Sequence, residues 1–435
     1  MQDSKYKYLT LQYILLNVAN MFMAAAMLGY VLNYLSALSV LTDASGNPKL
    51  ALIGLIIGIG SVLSIVAQTF FSSWLDRTDV MDELSFLKAV SIASLIAGIG
   101  MTVIPDSSYI VVILTVLAII AVNISMPIIN TIAFLYEKEG KTINYGVCRG
   151  IGSGAYACGA YLLGALWKTL GKNIITIYVI VFSIVLIATI TMMPKPKRND
   201  EVKEKGTSFI EFFKKYKAAF YLTLGMVFIY FTHMMLNVYL KVIVEGILGE
   251  AGILARIEAS ANYSSDALVV GSEAYNTAKD AIAANIQGIA VAIAALLELP
   301  AMSSFTRIAK KFDINKIMIF AGMMYLLKHA LMLVCTNEYM LYGIEVLQMF
   351  GYGVMTPALV YWCYENIPAS DSNKGQSAFI MSLTIASLFT TIICGYLFEH
   401  LSVRMVLLIG LIVIVIGVFF IYVGVNTKQN NQLNN

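Results

Sequence analysis

The chain has 435 residues, 59% of them hydrophobic and 13% charged, and a mean hydropathy of +0.78. A soluble core of this size cannot bury so much apolar surface, so the composition points to lipid as the solvent. The net charge of +3 comes without a basic patch, which excludes a nucleic-acid partner.

Crossing about 30 Å of hydrocarbon takes roughly 20 apolar residues. Twelve segments meet that length: about 9–36, 49–73, 84–105, 108–136, 144–167, 173–193, 218–246, 281–306, 314–336, 339–366, 375–399 and 403–424. The first opens on "MQDSKYKY", a basic start like that of a signal peptide, but its apolar run is too long for one and reads as a retained first helix. After the sixth segment comes "PKPKRNDEVKEKGTSFIEFFKKYK" (194–217), polar and basic. It divides the chain into an N-terminal six-helix bundle (1–193), a linker (194–217) and a C-terminal six-helix bundle (218–435). The first part of the linker reads as flexible, and "SFIEFFKKYK" as a short amphipathic helix lying on the membrane. The other long connection, 247–280, is net acidic, and Ser272 in it is placed to cap a helical extension of the eighth segment.

The basic residues orient the chain. With both termini cytoplasmic, 20 Lys and Arg fall inside and 6 outside, and 247–280 becomes an outer loop. The location that follows is the cytoplasmic membrane. The five cysteines form no CxxC pair and lie in apolar segments, and the three histidines are scattered. Phosphate-loop, dinucleotide and HExxH motifs are absent from the sequence. These features predict no metal, no cofactor and no enzyme.

Two sets of six helices joined by a basic loop resemble the major facilitator superfamily. The loop after the second segment, "SSWLDRTDV" (72–80), resembles that family's G-x-L-x-D-R-x-G-R-[RK] motif at Asp76 and Arg77 and departs from it afterwards. The resemblance implies a gating loop whose Asp latches the two halves near a helix N-terminus. The fifth segment narrows the likeness. "YGVCRGIGSGA" (145–155) resembles the Y-G-x-x-R-x-x-G-S-x-[GA] run of the lactose permease and nucleoside–proton symporter branch, and "ELP" (298–300) recurs there too. That branch's acidic sugar-binding position in the fourth helix falls on Ala133 here. Its proton-coupling histidine and glutamate in the tenth fall on Gln348 and Gly351, so the likeness does not carry a substrate with it.

Ionisable groups inside lipid are costly unless paired, which makes each a functional candidate. Arg149 lies among Gly146, Gly150, Gly152 and Gly154. It either snorkels to the inner surface or anchors a polar solute through its planar five-donor fork. Tyr156, seven residues on, shares its helix face and provides a stacking platform. Asn20, Asn123 and Asn130 complete a substrate-binding cage, beside the further amides Asn17 and Gln68. In the second half Lys328 and Glu345 both fall roughly 12 Å from the turn between segments nine and ten, the right depth for an ion pair. Such a pair either fixes helix packing or, with Glu298, forms a proton-coupling group. These features predict a secondary transporter, without cofactor and acting as a monomer, that takes up a small polar solute such as a sugar, oligosaccharide or nucleoside with protons or sodium. A proton-antiport exporter of amphipathic compounds and a non-transporting membrane sensor are the alternatives.

Overall fold

The computed structural model describes residues 6, 8–77, 81–141, 143, 145–196, 209–260 and 263–427. Among these the chain is all α, and its only β feature is an isolated bridge between Thr42 and Pro48. The helices in order are α1 Leu9–Ala24, α2 Val31–Ser36, α3 Leu50–Arg77, α4 Glu83–Val103, α5 Tyr109–Lys138, α6 Tyr145–Leu170, α7 Asn173–Met192 and α8 Phe209–Lys215. They continue with α9 Lys217–Val238, α10 Leu240–Glu258, α11 Glu273–Ala309, α12 Ile314–Val334, α13 Glu338–Glu345, α14 Tyr352–Asn366, α15 Ala369–His400 and α16 Val403–Asn426.

Every expected membrane segment falls mostly on helix. Among the described residues ten helices are long and apolar enough to cross a membrane. The fifth and tenth expected segments are not among them, each for its own reason. α6 has 26 residues, but glycines and Arg149 dilute its apolar character. The tenth segment is broken: α13 stops at Glu345, Val346–Met349 is a 3-10 turn, and α14 starts at Tyr352. The first segment is also interrupted, by a π turn over Ala25–Gly29. Local chemistry sets several starts. Asp82 caps α4 at Ser85 N, 2.8 Å, and Asp313 caps α12 at Lys316 N, 3.1 Å. Outward faces carry Ile96, Val103, Ile110 and Phe419, each more than half exposed, as helices bathed in lipid should.

The expected loop 247–280 is largely helical. α10 runs through it to Glu258, turning at Gly249, whose φ of +62° suits glycine alone. Ser272 caps α11 as expected, its hydroxyl accepting from Tyr275 N at 2.9 Å. The amphipathic helix expected in the linker is α8, with Phe212 buried and Ile210 exposed. The rest of the linker, 197–208, lies outside the described residues, as do the side chains of Asp76 and Arg77 and the positions that follow them, 78–80. The chain forms two compact units. The first comprises 1–201 with 250–292, and the second 202–249 with 293–435. The second is built around Phe212, Met226, Met318, Trp362 and Phe379.

Candidate functional site

In the first unit, α1, α5 and α6 gather a polar cluster. Gly152 has no side chain, so α6 lies close to α1: a methyl there would sit 3.5 Å from Asn17 Cβ and 3.4 Å from Met21 Cγ. Arg149, three residues earlier and half-buried, points its Nη1 at Met126 Sδ, 3.6 Å away. Asn20 Nδ2 approaches the same sulfur at 3.6 Å. Thioether sulfur is a weak acceptor, so neither donor is well satisfied. Among the described residues no carboxylate lies within ion-pair reach of Arg149. The side-chain oxygens of Asn17 and Asn20 are buried without a partner among the described residues. One half-buried cation with five donors and two buried amide oxygens without partners thus belong to the same packed helices α1, α5 and α6.

Of the expected cage, Arg149 and Asn20 come together through Met126. Asn130 stands one turn beyond Met126 on the same face of α5, half-buried. Asn123 turns elsewhere. Its amide donates to Ser64 Oγ of α3 at 3.2 Å and to Ile119 O at 3.1 Å, which is a packing contact. Tyr156 sits against the π turn, where a methyl on Gly29 would lie 3.0 Å from its hydroxyl.

The same unit contains a crossing that the sequence reading missed. Tyr30 donates its hydroxyl to Ala284 O at 2.9 Å and lies 3.3 Å from Ala160 O. Asn33 Nδ2 donates to Gln287 Oε1 at 2.7 Å, and Gln287 Nε2 returns to Gly29 O at 3.2 Å. Trp167 Nε1 donates to the Asp280 carboxylate. Beneath these bonds α6 and α11 touch at Gly164 and Gly288, and a methyl on either would meet the other's Cα at 3.0 Å. The signal for this was present. Ala160 and Gly164, and Ala284 and Gly288, are small residues spaced four apart, the pattern that lets membrane helices approach closely.

In the second unit the expected ion pair forms. Lys328 Nζ lies 2.7 Å from Glu345 Oε2 and 2.9 Å from Gln348 Oε1. Gln348 Nε2 in turn donates to Glu298 Oε1 at 2.9 Å. Lys328, Glu345 and Gln348 are each less than 5% exposed, whereas Glu298 is half-buried. Pro300 and Pro357 lie inside α11 and α14, where each removes a backbone donor and frees a carbonyl one turn back. Beside the chain His233 stacks on Tyr352, with centroids 5.1 Å apart and planes 13° apart, and meets Tyr325 edge-on at 5.8 Å. The sequence reading passed over His233 because a lone histidine in an apolar run carries no spacing signal. No group of three or more His, Cys, Asp or Glu gathers to hold a metal among the described residues.

The membrane-spanning helices and the family they match make this a membrane transporter of the major facilitator type. The chain belongs to the MFS_1-like family, whose model matches residues 13–409. No curated protein matches it. Among solved structures an aspartate-to-alanine mutant of the nucleoside transporter NupG is similar, with a TM-score of 0.72 and 12% identity over 96% of this chain and 99% of that one. A bacterial homologue of the iron transporter ferroportin gives 0.64 and 14%, covering 96% and 98%. A bacterial homologue of the lysosomal transporter Spinster gives 0.63 and 12%, covering 97% of each chain.

Proposed function

We propose that this transporter takes up a small polar solute, a sugar, oligosaccharide or nucleoside, by alternating access coupled to protons. Its working halves are 1–193 and 218–435, joined by the linker 194–217, and one copy of the chain suffices. Both termini face the cytoplasm across the cytoplasmic membrane, a reading supported by the 20-to-6 division of basic residues. The solute is anchored by Arg149 and Asn20, with Tyr156 as platform and Asn130 on the flanking helix, while Asn123, bonded to Ser64 and Ile119, packs α5 against α3. A planar fork suits adjacent hydroxyls or an anionic group, and open amide oxygens suit hydroxyl or N–H donors. The name of the nucleoside transporter among the similar structures keeps nucleosides beside sugars.

The observation that supports proton coupling most is the buried chain Glu345–Lys328–Gln348–Glu298. It holds one ammonium and two carboxylates. Lys328 balances Glu345, which leaves Glu298 as the acid without a cation of its own. Glu298 is also the least enclosed member of the chain. We assign it as the proton carrier, with Glu345 and Lys328 setting the field around it. Asp76 and Arg77 form the gating loop. Glu298→Gln in proteoliposomes tests this: radiolabelled sugars and nucleosides should still exchange by counterflow but no longer accumulate uphill under a proton gradient. Uphill accumulation by the variant would place the proton elsewhere.

A further inference from the structure

The break in the tenth segment builds a seat for a cation. Around an α-helix, residues three apart differ by about 60°, whereas in a 3-10 turn of three residues per turn they eclipse. Here the α-helix stops at Glu345 and the next four residues are 3-10. The side chains of Glu345 and Gln348 therefore leave the backbone on one side and converge. Their oxygens both accept from the Lys328 ammonium, at 2.7 and 2.9 Å. The orientation of Gln348 is settled by chemistry: its NH2 group donates to Glu298, so its oxygen must face Lys328. A carboxylate and an amide carbonyl, both oriented and both buried, are the ligands a hard monovalent cation takes.

We propose that this is a monovalent-cation site whose cation is tethered to the chain. The Lys328 ammonium occupies the place that a free sodium or ammonium ion would otherwise take. The inference rests on the ion-coupled reading above and narrows it, because a seat already filled by the chain draws no sodium, and the proton remains as coupling ion. An ion pair that only fixes α12 to α13 would predict something different. Removing its cation would leave a buried charge that no particular ion repairs. A cation seat, once emptied, would select among ions by size.

Lys328→Ala empties the seat, and n-propylammonium has the four heavy atoms that the substitution removes. The test is thermal unfolding of the full-length protein in detergent at matched ionic strength. The wild type should unfold at the same temperature in sodium, n-propylammonium and choline chloride, and its counterflow should be indifferent to replacing sodium by choline. Lys328→Ala should unfold earlier in choline and regain several degrees in n-propylammonium or sodium, saturably. Lys328→Ala combined with Glu345→Gln should lose that response, because the seat is then neutral. If Lys328→Ala fails to fold in choline, folded protein should still be recovered when it is purified throughout in n-propylammonium. Recovery in neither salt overturns the proposal. So do a Tm of Lys328→Ala that does not distinguish the three cations and a wild type whose counterflow needs sodium. Absence of counterflow in every salt, with the variant's cation response intact, would instead overturn the transport reading alone.

Discussion

Gly288→Ala adds one methyl group where the first half of α11 lies against α6. The added carbon would come to 2.7 Å from Ala160 O, 2.8 Å from Tyr30 Oη and 3.0 Å from Gly164 Cα. Ordinary contact begins near 3.4 Å, so α11 must retreat by about 0.7 Å from a backbone that cannot swing aside. Overpacking of this kind costs roughly 1–3 kcal/mol. The helix-propensity gain of alanine over glycine, about 1 kcal/mol, does not offset it, because α11 is helical whether or not the crossing is closed. The close α6–α11 crossing should therefore lose about 5- to 150-fold in population relative to a separated one. Ala284, one turn back and fully buried, reports the change. In a background without the five native cysteines, Ala284→Cys should react slowly with a membrane-impermeant maleimide added outside. Adding Gly288→Ala should speed that reaction within the same range and slow solute counterflow. A labelling rate that Gly288→Ala leaves unchanged would refute the reasoning, since the crossing would then not govern access to Ala284.

Other outcomes are expected. Arg149→Lys keeps the charge and loses the fork, so transport should fall at least tenfold with expression unchanged; wild-type rates would make Arg149 a snorkelling anchor. Lys203→Cys should be labelled only from the cytoplasmic side and Asp266→Cys only from outside, and the reverse for Asp266→Cys would invert the topology. Asp371 ties down α8, accepting from Lys215 at 3.0 Å, Tyr216 at 2.9 Å and Lys374 at 3.2 Å. Burial alone would raise its carboxyl, but these bonds hold it below the usual carboxylate range. A depressed folded value gives stability that is present above the unfolded pKa and lost as pH falls through the folded one. Protection of α8 from proteolysis should thus be flat from pH 7 to about 4 and fall only below that, and Asp371→Asn should weaken it already at pH 7.

Hydropathy made the membrane class and the twelve segments legible, because apolar length is a local property that lipid reads directly. The chain's family was legible in the run around Arg149. The Lys328–Glu345 pair was legible too, since equal depth on adjacent helices follows from a rise of about 1.5 Å per residue. What each side chain faces was not legible. Asn123 and Asn20 look alike in sequence, but one bonds Ser64 across α3 and the other meets Met126 beside Arg149. Helix rotation decides that, and it comes from packing on neighbours far away in the chain. The break at Gln348 escaped because α-helix and 3-10 turn differ by a fraction of a residue per turn, too little to change an apolar pattern. The crossing of Gly164 and Gly288 joins residues 124 positions apart. Small residues spaced by four announce that some helix comes close, and only the tertiary structure decides which one.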